Sequence, residues 1–232
     1  MNHDLFCLAG FGFIFLIVLV IVEFLYLKFS FPVEFSRKAI HIIAGTIASF
    51  FIFIFEKQVT AIIMAVFFFF ISWLSKKTGM LKSMHSVHRE SIGEYIFPLS
   101  ICLIFVLTRM TEIPGYSYFC AVMVLSIADP MASFGGLINL RMNGNKKWVI
   151  TNKPNKIKTW PGTAFFFIST LLITFLTFKY FLSLPYPVIF ISAVLISLIA
   201  AISELLSYNG WDNLTAPLSV WFSIYVSEVI FT

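Results

Sequence analysis

Apolar residues fall along this chain in eight long runs separated by short polar stretches, and each run has the length of a membrane-crossing helix. The runs cover residues 5–28, 37–55, 58–74, 92–110, 115–138, 160–183, 186–206 and 214–231. About 20 apolar residues at 1.5 Å each span the hydrocarbon, where the backbone must satisfy its own hydrogen bonds. Helices do so and open strands do not. The pattern therefore predicts an all-α, polytopic membrane protein with about eight transmembrane helices, forming a single helical domain over 1–232. Glycine and proline mark several breaks, at Phe31-Pro32, Pro114-Gly115, Trp160-Pro161-Gly162 and Pro185-Tyr186-Pro187. Ser75 to Ser91 reads as a polar loop or surface helix, and residues 139–159 as a basic loop.

Composition supports this class. The chain is 59% hydrophobic and 12% charged, with a mean hydropathy of +0.94, against roughly 25% charged residues in soluble domains. Its 29 phenylalanines suit a lipid-facing surface. Cys7, Cys102 and Cys120 are scattered through apolar runs without metal-ligand spacing and read as packing residues. The first run lacks a positively charged lead-in and is too long for a cleaved signal, so it reads as a retained span.

Charge adds direction. Thirteen of the sixteen basic residues lie in alternate connections, leaving Lys57, Arg109 and Lys179 for the other side. Lys and Arg resist translocation, so the crowded face is expected to be cytosolic, with both chain ends opposite. The net charge of +5 reflects that orientation and attraction to anionic lipid, and gives no support to nucleic-acid binding. Glu94, Asp129 and Glu204 come out near the same face as the basic loops.

Five polar clusters could carry chemistry. In Glu34-x-x-Arg37-Lys38-x-x-His41, Arg37 and His41 share a helix face with Lys38 beside them. Two cations there could serve as an orienting anchor, but His41 lies a turn inside the apolar run and makes a phosphate grip an equal reading. In Arg89-Glu90-Ser91-Ile92-Gly93-Glu94, Glu94 has entered the span, where a carboxylate costs several kcal/mol unless paired or hydrated. An acid inside a span is a functional candidate by default, with a structural pair to a nearby Arg or Lys as the lesser alternative. Asp129 lies about 21 Å along the fifth span, beside Pro130, which disturbs the helix and exposes carbonyls. Packing explains it poorly. Lys158 precedes Thr159-Trp160-Pro161-Gly162-Thr163, where ammonium charge and helix N–H groups can bind an anion, although helix entrances often carry lysine. Glu204 lies late in the seventh span, and Asp212 or Asn213 could cap the eighth helix.

Acids, one histidine, lysines, arginines and asparagine on one membrane face fit a nucleoside triphosphate: carboxylates hold Mg²⁺ and cations neutralise phosphate oxygens. Because the site opens into the apolar layer, the acceptor is expected to be a lipid. The ordered set Glu34-x-x-Arg37-Lys38-x-x-His41, Arg89-x-x-x-Gly93-Glu94-x-x-Phe97-Pro98-Leu99, Ala128-Asp129-Pro130-x-Ala132-Ser133, Lys158-Thr159-x-x-Gly162-Thr163 and Glu204…Asp212-Asn213…Pro217 resembles the polyprenol kinase family. That family includes dolichol, phytol and farnesol kinases and CTP-dependent diacylglycerol kinases, and is distantly similar to phosphatidate cytidylyltransferases.

The resemblance covers about residues 34–217 and implies a membrane enzyme that uses CTP with Mg²⁺ to phosphorylate a lipid alcohol. Under it, Asp129 and Glu94 hold or orient the metal-nucleotide, or one of them accepts the alcohol proton. Arg37, Lys38, Arg89 and Lys158 bind phosphates, with His41, Gly162 and Thr163 at the nucleotide, and Glu204, Asp212 and Asn213 complete the site. The chain departs from the family at Pro161, where members often have Glu, and at Leu137, Ile138 and Leu140, where many have basic residues and a second glycine. A cytidylyltransferase would use the same parts. A transporter would need polar residues continuing to the far side.

Overall fold

Each apolar run is helical. In the computed structural model, which describes residues 2–30, 32–81, 83, 92–143, 148–153 and 156–231, α1 (Asn2–Phe29), α2 (Val33–Ser49), its one-turn extension α3 (Phe51–Ile54), α4 (Gln58–Thr78) and α5 (Gly93–Thr111) come first. α6 (Tyr116–Met123) passes through a π-helical turn at Val124–Ala128 into α7 (Asp129–Asn143). A two-stranded antiparallel hairpin, β1 (Val149–Lys153) and β2 (Lys156–Thr159), then leads to α8 (Trp160–Phe181), α9 (Tyr186–Leu206) and α10 (Asp212–Phe231). Among the described residues seven helical stretches are long and apolar enough to cross a membrane. α10, 20 residues long, packs with α5, α6 and α9 as an eighth member. The protein is an all-α, multi-pass membrane protein.

Local chemistry sets the helix ends. α4 stops at Gly79, whose φ of +68° is the left-handed closure that glycine adopts without strain. α8 starts where the Thr159 hydroxyl accepts the Gly162 N–H at 3.2 Å, with Pro161 in the first turn, where its missing N–H costs nothing. The outer face of α1 carries Phe6, Phe13 and Val20, all more than half exposed, which is stable only against lipid.

The hairpin lies within the segment that the sequence pattern gives as a loop, and α7 likewise runs on past residue 139. Strand alternation is inverted here, with Ile157 exposed and Lys158 buried, so no apolar period of two appears. Trp148 and Trp160 stand exposed at its base, as aromatic side chains do where bilayer meets water.

The centre of the bundle is apolar and tightly closed. Phe105, Tyr118, Val122 and Val220 are fully inaccessible, and Tyr118 donates to the Ala48 carbonyl at 2.9 Å. Ser100, Thr108, Thr177 and Ser197 return their hydroxyls to carbonyls four residues earlier on their own helices, which makes them tolerable in an apolar layer.

Candidate active site

Alternating helix direction brings the starts of α2, α5, α8 and α10 and the ends of α4, α7 and α9 to one end of the bundle. Contacts join them directly. Lys38 in α2 donates to Asp129 at the start of α7 across 91 residues of sequence, and both side chains are about nine-tenths buried. Lys158 on β2 donates to the Glu204 carboxylate and, at 2.6 Å, to the Glu204 carbonyl, with Asp212 Oδ2 at 3.8 Å. Asn213 Nδ2 donates to the Gly93 carbonyl at 3.0 Å, which ties the start of α10 to the start of α5 beside Glu94. Lys76, in the last turn of α4, donates to Glu94 at 3.3 Å.

Two close helix approaches connect these pairs. A Cβ on Gly162 would lie 2.9 Å from the Ala132 carbonyl, and one on Gly135 would lie 2.8 Å from the Pro161 carbonyl. The start of α8, with Lys158 and Thr159 before it, is thereby held against the turn of α7 that follows Asp129. Small residues allow backbones in a membrane to approach in this way. On the other flank, a Cβ on Gly45 would overlap the Ser126 hydroxyl, so α2 lies directly against the π-helical turn.

That turn explains His41. At i→i+5 spacing the Leu125 carbonyl faces residue 130, and Pro130 has no N–H to give it. His41 Nε2–H donates to that carbonyl instead, at 3.0 Å, and its ring rests on Phe97 with centroids 4.1 Å apart. His41 therefore props the π-helical turn from which Asp129 projects. Arg37, on the same helix, pairs with Glu34 at 2.9 Å.

Sequence-derived candidates thus fall into three groups. Lys38, His41 and Asp129 meet at the α2–α7 crossing. Lys158, Glu204, Asp212 and Asn213 meet at the foot of α8, α9 and α10, with Gly162 and Thr163 in the first turn of α8. Glu94 meets Lys76, a residue that the sequence pattern gives only as an orienting charge. Its place at the end of an apolar run, facing a run that opens on an acid, was the available signal. Arg89 lies outside the described residues.

Among the described residues no group of three or more His, Cys, Asp or Glu gathers into a metal cluster. Mg²⁺ does not need one, because it commonly takes one or two carboxylates together with substrate phosphates and water. Each buried carboxylate here already lies against an ammonium, a donor set suited to exchange with a metal-bound polyphosphate. The Thr163 hydroxyl, in the first turn of α8, is buried with no hydrogen-bond partner among the described residues. An orphaned donor at a helix start, five residues after Lys158 in sequence, fits an anion.

The chain is 27% identical over 187 residues to a phytol kinase from Synechocystis sp., a match that spans 81% of this chain and 76% of that relative. No family model and no solved structure matches it.

Proposed function

We propose that this chain, which stands with the polyprenol and phytol kinases at the level of family, phosphorylates a membrane lipid alcohol, with CTP as donor, at its basic, cytosolic end. The observation that carries the reading is the convergence of the Lys38–Asp129 pair and the Lys158–Glu204–Asp212 group at one end of the bundle. Phosphoryl transfer asks a protein mainly for positioning and charge neutralisation, and these are the parts assembled there. Lys38 and Lys158 bind phosphate oxygens, the α8 start and Thr163 add neutral donors, and Glu204, Asp212 and Asn213 fix Lys158 and the start of α10. Asp129 and Glu94 would hold Mg²⁺, which when bound neutralises charge on the transferring phosphoryl group. The acceptor oxygen attacks the γ-phosphorus, the bond from that phosphorus to the β–γ bridging oxygen breaks, and CDP leaves. Where only one of these two acids holds the metal, the other accepts the hydroxyl proton.

The test is isotopic. Purified protein in lipid with phytol, a polyprenol or diacylglycerol should transfer label from [γ-³²P]CTP and none from [α-³²P]CTP. Transfer from the α position to a lipid phosphate would make the protein a cytidylyltransferase, and no lipid product from any alcohol and nucleotide would refute the kinase reading.

A further inference from the structure

An apolar cavity, open on one side, lies between α1, α2, α4 and α5, and Glu94 is the charged residue in its lining. We propose that it holds the head-proximal hydrocarbon of the acceptor alcohol, with the hydroxyl hydrogen-bonded to Glu94. The inference rests on the kinase reading above and assigns the acceptor its place.

Three observations carry it. First, the cavity is one-ended in its chemistry. Glu94 and Ser72 stand toward the basic end, where α4 finishes and α5 starts, whereas Ala48, Ala61 and Cys102 line it deeper in the bundle. An alcohol has that same division, one polar atom on an apolar chain. Second, the cavity adjoins the polar site at Phe97 as well as at Glu94. Phe97 lines the cavity and also carries the His41 ring, which props the turn bearing Asp129. Ile40, two residues from Lys38, lies on the cavity wall too. A chain seated here would have its hydroxyl at the threshold of the phosphate site.

Third, the length fits. Glu94 to Cys102 along α5, and Ile40 to Ala48 along α2, each advance about 12 Å. At roughly 1.3 Å per extended methylene, from the C–C bond length, this accommodates on the order of ten carbons. Longer acceptors would continue into the lipid beyond α1 and α4. Recognition would then read the first carbons after the hydroxyl and ignore the rest of the tail.

Leucine in place of Ala48 or Ala61 fills the deep end without touching Glu94 or the ion pairs. Each variant should raise KM for phytol about tenfold or more, while KM for the shorter geraniol and for CTP and kcat with geraniol stay within about twofold. Unchanged chain-length preference in both variants would overturn the proposal. A second measurement stands if the variants do not fold. A long-chain alcohol carrying a diazirine about ten carbons from its hydroxyl should crosslink the wild-type protein at α2 and α4 near Ala48 and Ala61. Phytol should compete this away, and an equal amount of phosphatidylcholine should not. Equal competition by phosphatidylcholine would show a crevice for bulk lipid and overturn the proposal, as would crosslinks confined to the outer faces of α1 and α9. Competed crosslinking without any phosphorylated product would sink the kinase reading and leave the alcohol cavity standing.

Discussion

Removing either partner of the Lys38–Asp129 pair should unfold the site as well as silence it, and the double substitution separates the two effects. The side chains are 10% and 9% exposed, so removing one leaves the other buried without its ion-pair mate. Breaking a buried pair from one side costs about 3–5 kcal/mol, whereas replacing both partners by apolar groups of similar volume is often neutral or stabilising. At about 2–4 °C per kcal/mol for a chain of this size, Lys38→Met or Asp129→Leu should lower the melting temperature by on the order of 10 °C. The Lys38→Met/Asp129→Leu double variant should recover most of it. Thermal unfolding in detergent, followed by intrinsic fluorescence, measures the cycle. Activity should not follow stability: on the proposed mechanism each variant loses the phosphate-binding ammonium, the carboxylate or both, so all three should fall at least about a hundredfold in kcat/KM. A double variant that regains stability and activity together would reduce the pair to a packing device and refute its place in the chemistry.

Three further outcomes follow from neighbouring contacts. His41→Leu removes the donor to the Leu125 carbonyl and should destabilise by about 1–3 kcal/mol, with kcat reduced more than KM for nucleotide. His41→Gln, which keeps an N–H, should restore much of kcat, and equal loss in both variants would argue for direct phosphate contact instead. Gly162→Ala places a methyl 2.9 Å from the Ala132 carbonyl and should cost about 1–3 kcal/mol in melting experiments; a neutral result would mean that α7 and α8 are not held as closely as described. Single cysteines replacing the exposed Ile157 and Trp211 should react with an impermeant maleimide from the same side of sealed vesicles, and labelling from opposite sides would dissolve the shared site.

Helix positions were legible because charge and proline punctuate the apolar runs. The run at 186–206 coincides with α9 at both ends, between Pro185 and the polar turn after Leu206. Differences arise where charged residues belong to a helix end. α4 continues through Lys76 and Lys77 to Thr78, α2 begins at Val33 so that Glu34 lies inside it with Arg37 and Lys38, which the run already held, and α10 begins at Asp212. Long basic side chains let a helix run on past the hydrocarbon, because the stem stays in apolar surroundings while the charge reaches water. The candidate residues were legible one by one, since an acid inside an apolar run is conspicuous. Their partners were not. That Lys38 meets Asp129, or Lys158 meets Glu204, depends on which helices become neighbours, and nothing local to either residue encodes it. Pro130 signalled a disturbed helix, yet the relief through a π-helical turn held by His41 required knowing that α2 lies alongside.

The two ends of the bundle use polar residues differently, and the difference bears on what the protein does. At the far end Asp4 accepts the Lys57 N–H at 3.2 Å and the Thr60 hydroxyl at 3.1 Å, closing the start of α4. Arg109 donates to the Ile52 and Phe55 carbonyls at 2.7 Å each, closing the end of α3, and Tyr116 gives its hydroxyl to Glu228. Asp4 and Arg109 there complete backbone that the helices leave open. At the basic end, carboxylates and ammonium groups from α2, α4, α5, α7, α9, α10 and β2 are spent on one another. Between the ends, Ser100, Thr108, Thr177 and Ser197 turn their hydroxyls back onto their own helices. A transport path needs exchangeable polar groups through the middle, whereas a site for interfacial phosphoryl transfer needs them at one end, next to an apolar cavity. The distribution found here matches the second requirement.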